Sequence, residues 1–231
     1  MTAVELRQAR EAKGWTQQEA AARLGLSQTY LSLLEQGKRP VPQSRVQRLL
    51  SVYDSLSPLA LPMRGQQDWA GMSDLKLAQQ LGGLGYPGFA YMRARAAWNP
   101  AELLVAALTK DDMEGRTAEA LPWLALAYNN MDWDWVVRQA KLHDVQNRLG
   151  FVLTLARSLA ERISDTSVAT RLRELEKRLH GSVLLRELTF CNENMPLAER
   201  RWLNQNSTPQ AKHWNILSDL SVEHLSHALE G

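Results

Sequence analysis

A glycine between two short amphipathic stretches constrains this 231-residue chain more than any other feature. The stretch is TQQEAAARLGLSQTYLSLLEQG, residues 16–37. Thr16 followed three residues later by Glu19 is a capping box, in which hydroxyl and carboxylate each satisfy a backbone N–H that a helix start leaves unpaired. A helix therefore begins at Gln17, with Ala20, Ala21 and Leu24 along its inner side. Gly25 follows the last turn, where a left-handed backbone ends the helix and turns the chain. Ser27 caps a second helix, from which Leu31 and Leu34 face the same interior. Gly37 ends that helix in the same way.

Two short helices joined by a tight glycine turn have the geometry of a DNA-binding helix-turn-helix. Residues 4–54 resemble the Cro/repressor-type (XRE) helix-turn-helix family. The match runs through Leu6, Arg10, Gly14, Thr16, Gln17, Glu19, Ala21, Leu24, Gly25, Leu26, Ser27, Tyr30, Leu31, Ser32, Leu34, Glu35, Gly37 and Pro40. It covers under a quarter of the chain. The resemblance implies double-stranded DNA as ligand, with the N-terminal part of the second helix in the major groove. Gln17, Gln28, Thr29, Ser32 and Leu33 are then the base-reading candidates. A side-chain amide can bond both N7 and N6 of adenine, and Thr or Leu can pack on a thymine methyl. Ser27, Lys38 and Arg39 are the phosphate candidates, which set register without reading sequence. Arg10 is implied to pair with Glu35 as a structural ion pair, and Trp15 and Tyr30 belong to the core. A domain this small makes few contacts. The resemblance thus implies a homodimer on an inverted-repeat operator, with two recognition helices about 34 Å apart.

Charge agrees with that placement. The net charge is only +2, but residues 1–57 hold eight Lys or Arg against five Asp or Glu. The stretch QGKRPVPQSRVQR carries Lys38, Arg39, Arg45 and Arg48 with no acidic residue, the footprint expected beside a phosphate backbone. The apolar runs LLVAAL and LPWLALAY fall far short of a bilayer span, and the start lacks a hydrophobic leader. Cys191 is the only cysteine, so no internal disulfide or multi-cysteine metal cage forms. A cytoplasmic protein without a membrane partner is expected.

The expected fold class is all-α, an N-terminal helix-turn-helix bundle followed by a larger all-helical domain. Residues 1–56 form the first domain, 57–73 a linker, and 74–231 a helical dimerisation or partner-binding domain. Asn99-Pro100 opens a helix through Leu108, and Thr117–Tyr128 is helical in composition although Pro122 must start, kink or break it. Helices are also expected over Asp132–Leu142, over 147–163 and from the Ser164-Asp165-Thr166 cap to Leu179, with starts at Pro196 and Pro209. Val168, Leu172, Leu175 and Leu179 make one apolar stripe, which packs into its own domain or meets a partner. Strand signals are poor.

No enzyme is expected: HExxH, GxSxG, GxxxxGK[ST] and GxGxxG after a strand are all missing from the sequence. His224 and His227 have a spacing open to metal, but without acidic company beyond Glu223 no metal or other cofactor is expected. His143 and His213 read as structural histidines. Seven of the eight tryptophans follow the first domain. Most are core, but Trp133 and Trp135 lie two apart, so one of them is free for a contact surface. The resulting reading is an autoregulatory, antitoxin-like transcriptional repressor whose second domain binds a cognate toxin or other protein. Two alternatives stay open: a regulator whose second domain binds a small molecule, and a DNA-targeted enzyme of unrecognised type.

Overall fold

Side-chain caps set many of the helix starts in the computed structural model, which describes residues 1–53, 55–63, 69, 72–92, 98–190, 192–225 and 228. The chain divides into two compact units, Met1–Met63 with Ala96–Asn99 and Arg64–Arg95 with Pro100–Gly231. In the first unit, α1 (Ala3–Ala12) starts at a Thr2/Glu5 capping box and α2 (Gln17–Leu24) at the Thr16/Glu19 box. Gly25 ends α2 at φ 66°, a left-handed conformation natural to glycine. Ser27 caps α3 (Gln28–Glu35), and Gly37, at φ 70°, turns the chain just beyond it. The fourth helix, α4 (Gln43–Val52), follows Pro42. Leu6, Ala20, Leu24, Leu31, Leu34, Leu49 and Tyr53 form the core, with Trp15 and Tyr30 half-buried against it as expected. Beyond α4, a short 3-10 turn at Pro58–Ala60 is fastened by the Asn99 amide, which donates to the carbonyls of Leu59 and Leu61.

The second unit is helical from α5 (Asp74–Gly83), which Ser73 caps, onward. It continues with α6 (Pro100–Leu108), α7 (Gly115–Ala127), α8 (Trp133–Leu142), α9 (Gln146–Arg162) and α10 (Thr166–His180). Then come α11 (Leu197–Asn206) and α12 (Pro209–His213). Helix α9 is the axis, with α7, α8, α10 and α12 packed around it. The stripe Val168, Leu172, Leu175 and Leu179 is buried on α10, the helix most extensively packed on α9, so it serves its own domain. Pro122 neither starts nor breaks a helix: α7 runs through it, held by burial of Ala118, Leu121, Leu124 and Ala125 around the missing N–H. Trp133 is buried, and Trp135 meets the Trp69 ring edge-on at 6.1 Å rather than facing out. Trp69 and Met72, from the 57–73 segment, are themselves buried.

The all-α expectation needs one small amendment. Leu188–Thr189 (β1) pairs in parallel with Ile216–Leu217 (β2), Leu188 opposite Ile216. Two-residue strands are too short to show a period of two, and their pairing is wholly non-local.

A run of three polar residues at the start of α9 ties this region down. The Gln146 amide donates to Ser182 O, and Asn147 exchanges two hydrogen bonds with Leu184 backbone. Arg148, only 4% exposed, donates to the carbonyls of Leu108, Lys110 and Thr189 and to the Glu193 carboxylate at 2.6 Å. Further along α9, the indole of Trp214 donates to Thr154 Oγ1 at 2.8 Å and lies flat on the backbone of Gly150. A methyl group at Gly150 would overlap that ring. Gly150→Ala is therefore expected to cost about 1–3 kcal/mol of stability through overpacking. Urea denaturation followed by circular dichroism measures it, and an unchanged midpoint would contradict the packing described.

Candidate nucleic-acid interface

The interface is built on how α3 is held. Glu35, near its end, has a side chain only 2% exposed. Both carboxylate oxygens are used: Oε1 accepts from Arg10 Nε at 2.8 Å, and Oε2 from Arg10 NH2 at 3.1 Å and from Gln17 Nε2 at 2.9 Å. Arg10 also donates through NH1 to the Trp15 carbonyl at 2.8 Å. One buried carboxylate thus joins α1, the start of α2 and the end of α3. The fork-to-fork pairing uses the planar geometry that Arg has and Lys lacks. The hydrogen bond to Glu35 also pushes the Arg10 guanidinium further above its ordinary range.

With Leu31 and Leu34 turned inward, helical periodicity sends Thr29, Ser32, Leu33 and Gln36 away from the core, and Gln28 stands at the flank of this face in the first turn. Gln28 and Thr29 are exposed, and their side chains make no hydrogen bond among the described residues. Ser32 and Leu33 are half-buried, and Ser32 Oγ accepts from Gln36 Nε2 at 2.9 Å. Gln36 is a further exposed side chain of this face. Its position one turn beyond Ser32 is the signal in the sequence that places it there. Gln17 differs from this group in that one of its two amide N–H donors goes to Glu35.

Ser27 is exposed at the start of α3, its oxygen accepting from the Tyr30 N–H. Lys38 and Arg39 are exposed past the other end of α3. The Arg39 guanidinium lies 6.0 Å from the Tyr30 ring centre, while the Lys38 and Arg45 side chains carry no partner among the described residues. Arg48 differs from its neighbours in the strip: it donates to the Arg23 carbonyl at 2.8 Å, satisfying the end of α2. Arg23 in turn stacks on Trp15 at 4.2 Å.

Below the interface, burial together with the nearby Glu35 charge pushes the Tyr53 phenol up to about 12. At the Thr16 cap, hydrogen bonds from the Thr16 N–H and hydroxyl lower the Glu19 carboxylate. Elsewhere, His224 Nδ1 accepts from the Ser221 N–H, while His227 and Cys191 lie outside the described residues. Among the described residues, no group of three or more His, Cys, Asp or Glu could hold a metal, and no helix is long and apolar enough to cross a membrane.

A family model described as a helix-turn-helix domain matches residues 3–59, and these residues form a helix-turn-helix domain of the Cro/XRE kind. The region beyond them matches no family model. No curated protein and no solved structure matches the chain.

Two outcomes follow from this geometry. Arg10→Met leaves the Glu35 carboxylate buried with a single amide partner, and is expected to cost about 3–5 kcal/mol. Arg7→Ala removes an exposed pair with Glu11 and should cost under about 1 kcal/mol. Chemical denaturation of both variants measures the difference, and equal losses would contradict the assigned ion pair. The second concerns pH. An unfolded tyrosine ionises near pH 10, whereas folded Tyr53 keeps its proton to about 12. The stability it contributes is therefore full below pH 10 and lost as pH rises toward 12. Tyr53→Phe should flatten that decline in a denaturation series from pH 9 to 11.5, and an identical slope would count against it.

Proposed function

We propose that the helix-turn-helix domain at residues 3–59 makes this protein a sequence-specific transcriptional repressor, acting as a homodimer on an inverted repeat near its own gene. One observation carries the reading: Gln28 and Thr29 stand exposed and without side-chain partners among the described residues, at the start of a helix whose orientation is held from beneath by Glu35. Unpartnered amide and hydroxyl groups in that position can exchange water for base edges at little cost. Ser27 at one end of α3 and Lys38 and Arg39 past the other can take phosphate and set register. Gln17 keeps α2 and α3 in their relative setting with one amide N–H and reaches DNA through its carbonyl oxygen and its second N–H. Dimerisation is assigned to the second unit, which exposes large apolar side chains such as Leu142, Ile163, Leu185 and Leu197. With one dimer spanning two half-sites, affinity gains from a second recognition helix without any new chemistry.

The test is fluorescence anisotropy on DNA from upstream of the protein's own gene and on random DNA, at several salt concentrations. Gln28→Ala is expected to lose about 1–3 kcal/mol of discrimination, roughly 5- to 150-fold. Lys38→Ala/Arg39→Ala should weaken binding to both DNAs and lower the salt slope by about 2. Wild-type binding to the upstream DNA no tighter than to random DNA would remove autorepression. Unchanged discrimination in Gln28→Ala would remove the assigned reading residue.

A further inference from the structure

A cleft of about 280 Å³ opens in the second unit among the start of α7, α11 and the segment after β2. Its lining is one-sided in charge. Glu119, Glu199 and Asp219 face it, and among the described residues no Lys, Arg or His does. The side chains of Glu119 and Asp219 make no ion pair or hydrogen bond among the described residues, and Glu199 accepts a single bond from the Asn192 amide at 3.3 Å. Three carboxylates around a concavity, none paired with a base among the described residues, concentrate negative potential at its mouth. Beside the carboxylates and the polar Asn192 and Ser218, the wall has apolar, adaptable side chains in Met113, Met195 and Trp202. Trp202 is 52% exposed, unlike the buried Trp69, Trp98, Trp133 and Trp214.

We propose that this cleft binds a small organic cation with an aromatic or apolar body. The carboxylates supply the attraction for positive charge. The face of Trp202 adds to it, since the indole quadrupole draws a cation whose hydration is weak. The thioethers of Met113 and Met195 mould to the body, as flexible and polarisable side chains do. The volume sits at the lower end of small-molecule sites, about 300–1,000 Å³, so the ligand is compact. Anionic ligands such as nucleotides or organic acids are repelled by the same three carboxylates. The inference stands on the second unit alone and does not depend on the DNA-binding reading.

The experiment is calorimetric titration of the full chain with benzyltrimethylammonium, alongside 3-phenylpropanoate as an anion with a similar body and arginine amide as a hydrophilic cation. Saturable binding of benzyltrimethylammonium is expected, with none of 3-phenylpropanoate and a weaker response to arginine amide. Glu119→Gln/Asp219→Asn should weaken the cation by about tenfold or more, and Trp202→Ala by several-fold or more. Trp202→Phe keeps an aromatic face, and should hold affinity near wild type while removing the ligand-dependent change in tryptophan fluorescence. All three altered positions are exposed or half-buried, so circular dichroism spectra should match the wild type. Three results would each overturn the proposal: no heat from benzyltrimethylammonium at millimolar concentration, equal affinity for 3-phenylpropanoate, or full affinity in the folded Glu119→Gln/Asp219→Asn variant.

Discussion

The carboxylate of Glu35 is the point on which the first unit turns. It is buried, and it carries its charge there because Arg10 meets it with two parallel hydrogen bonds and Gln17 with a third. A buried charge left unpaired costs several kcal/mol, so α1, α2 and α3 are bound to the arrangement that keeps it paired. That requirement has a geometric result at the surface. With Leu31 and Leu34 facing inward, Thr29 is turned away from the core, while Gln28, on the same side as Glu35 but two turns earlier, is exposed in the first turn of the helix. Recognition of a base edge needs donors and acceptors placed to within tenths of an ångström. A rigid ionic anchor beneath the helix supplies that placement better than apolar packing alone, which tolerates sliding. The capping boxes at Thr2 and Thr16 and the left-handed Gly25 then fix where each helix begins and ends around the anchor.

The second unit has an analogous device with a different partner set. Arg148 is buried, yet most of its hydrogen bonds go to backbone carbonyls, from the end of α6, the residue pair after it, and β1. Among the described residues, only Glu193 answers it with charge. Because carbonyls at a helix end and in irregular chain lack partners of their own, the guanidinium satisfies several orphan groups at once. Gln146 and Asn147 do the same for Ser182 and Leu184. The segment between α10 and α11 is thus held by three consecutive side chains of α9 as well as by the β1–β2 pairing. The acidic cleft borders this same segment through Phe190 and Asn192.

What could be read from the sequence follows the range of the interactions. The capping residues Thr16, Ser27, Asp132 and Asp165, the turn at Gly25 and the helix starts at Pro100 and Pro209 act within four residues, so each leaves a local mark. The stripe on α10 was legible because 3.6-residue periodicity survives any tertiary partner. At the interface, Gln28 and Thr29 are exposed at the start of α3 and Lys38 and Arg39 past its end, and Arg10 meets Glu35 as the family resemblance implied. Three things escaped. Gln17 sits at an outward-looking helix start, yet one of its amide N–H donors is taken by a residue far along the chain, on another helix. Arg148 looks like any polar residue opening a helix, and only the assembled unit brings carbonyls to it. The β1–β2 pair joins segments separated by two helices, and two residues a side carry no pattern. The acidic cleft escaped too, because Glu119, Glu199 and Asp219 come from separate elements.

The central claim is that the outward face of α3 reads DNA sequence. The most direct measurement is selection of bound sites from a random DNA pool by the full-length protein, run in parallel with a variant in which Gln28 and Thr29 are both replaced by Ala. The account predicts that the wild type converges on an inverted repeat with half-site centres about 10 base pairs apart, and that the variant loses the base preference at the positions those two side chains contact. Failure of the wild type to converge, or recovery of the same motif by the variant, would contradict it.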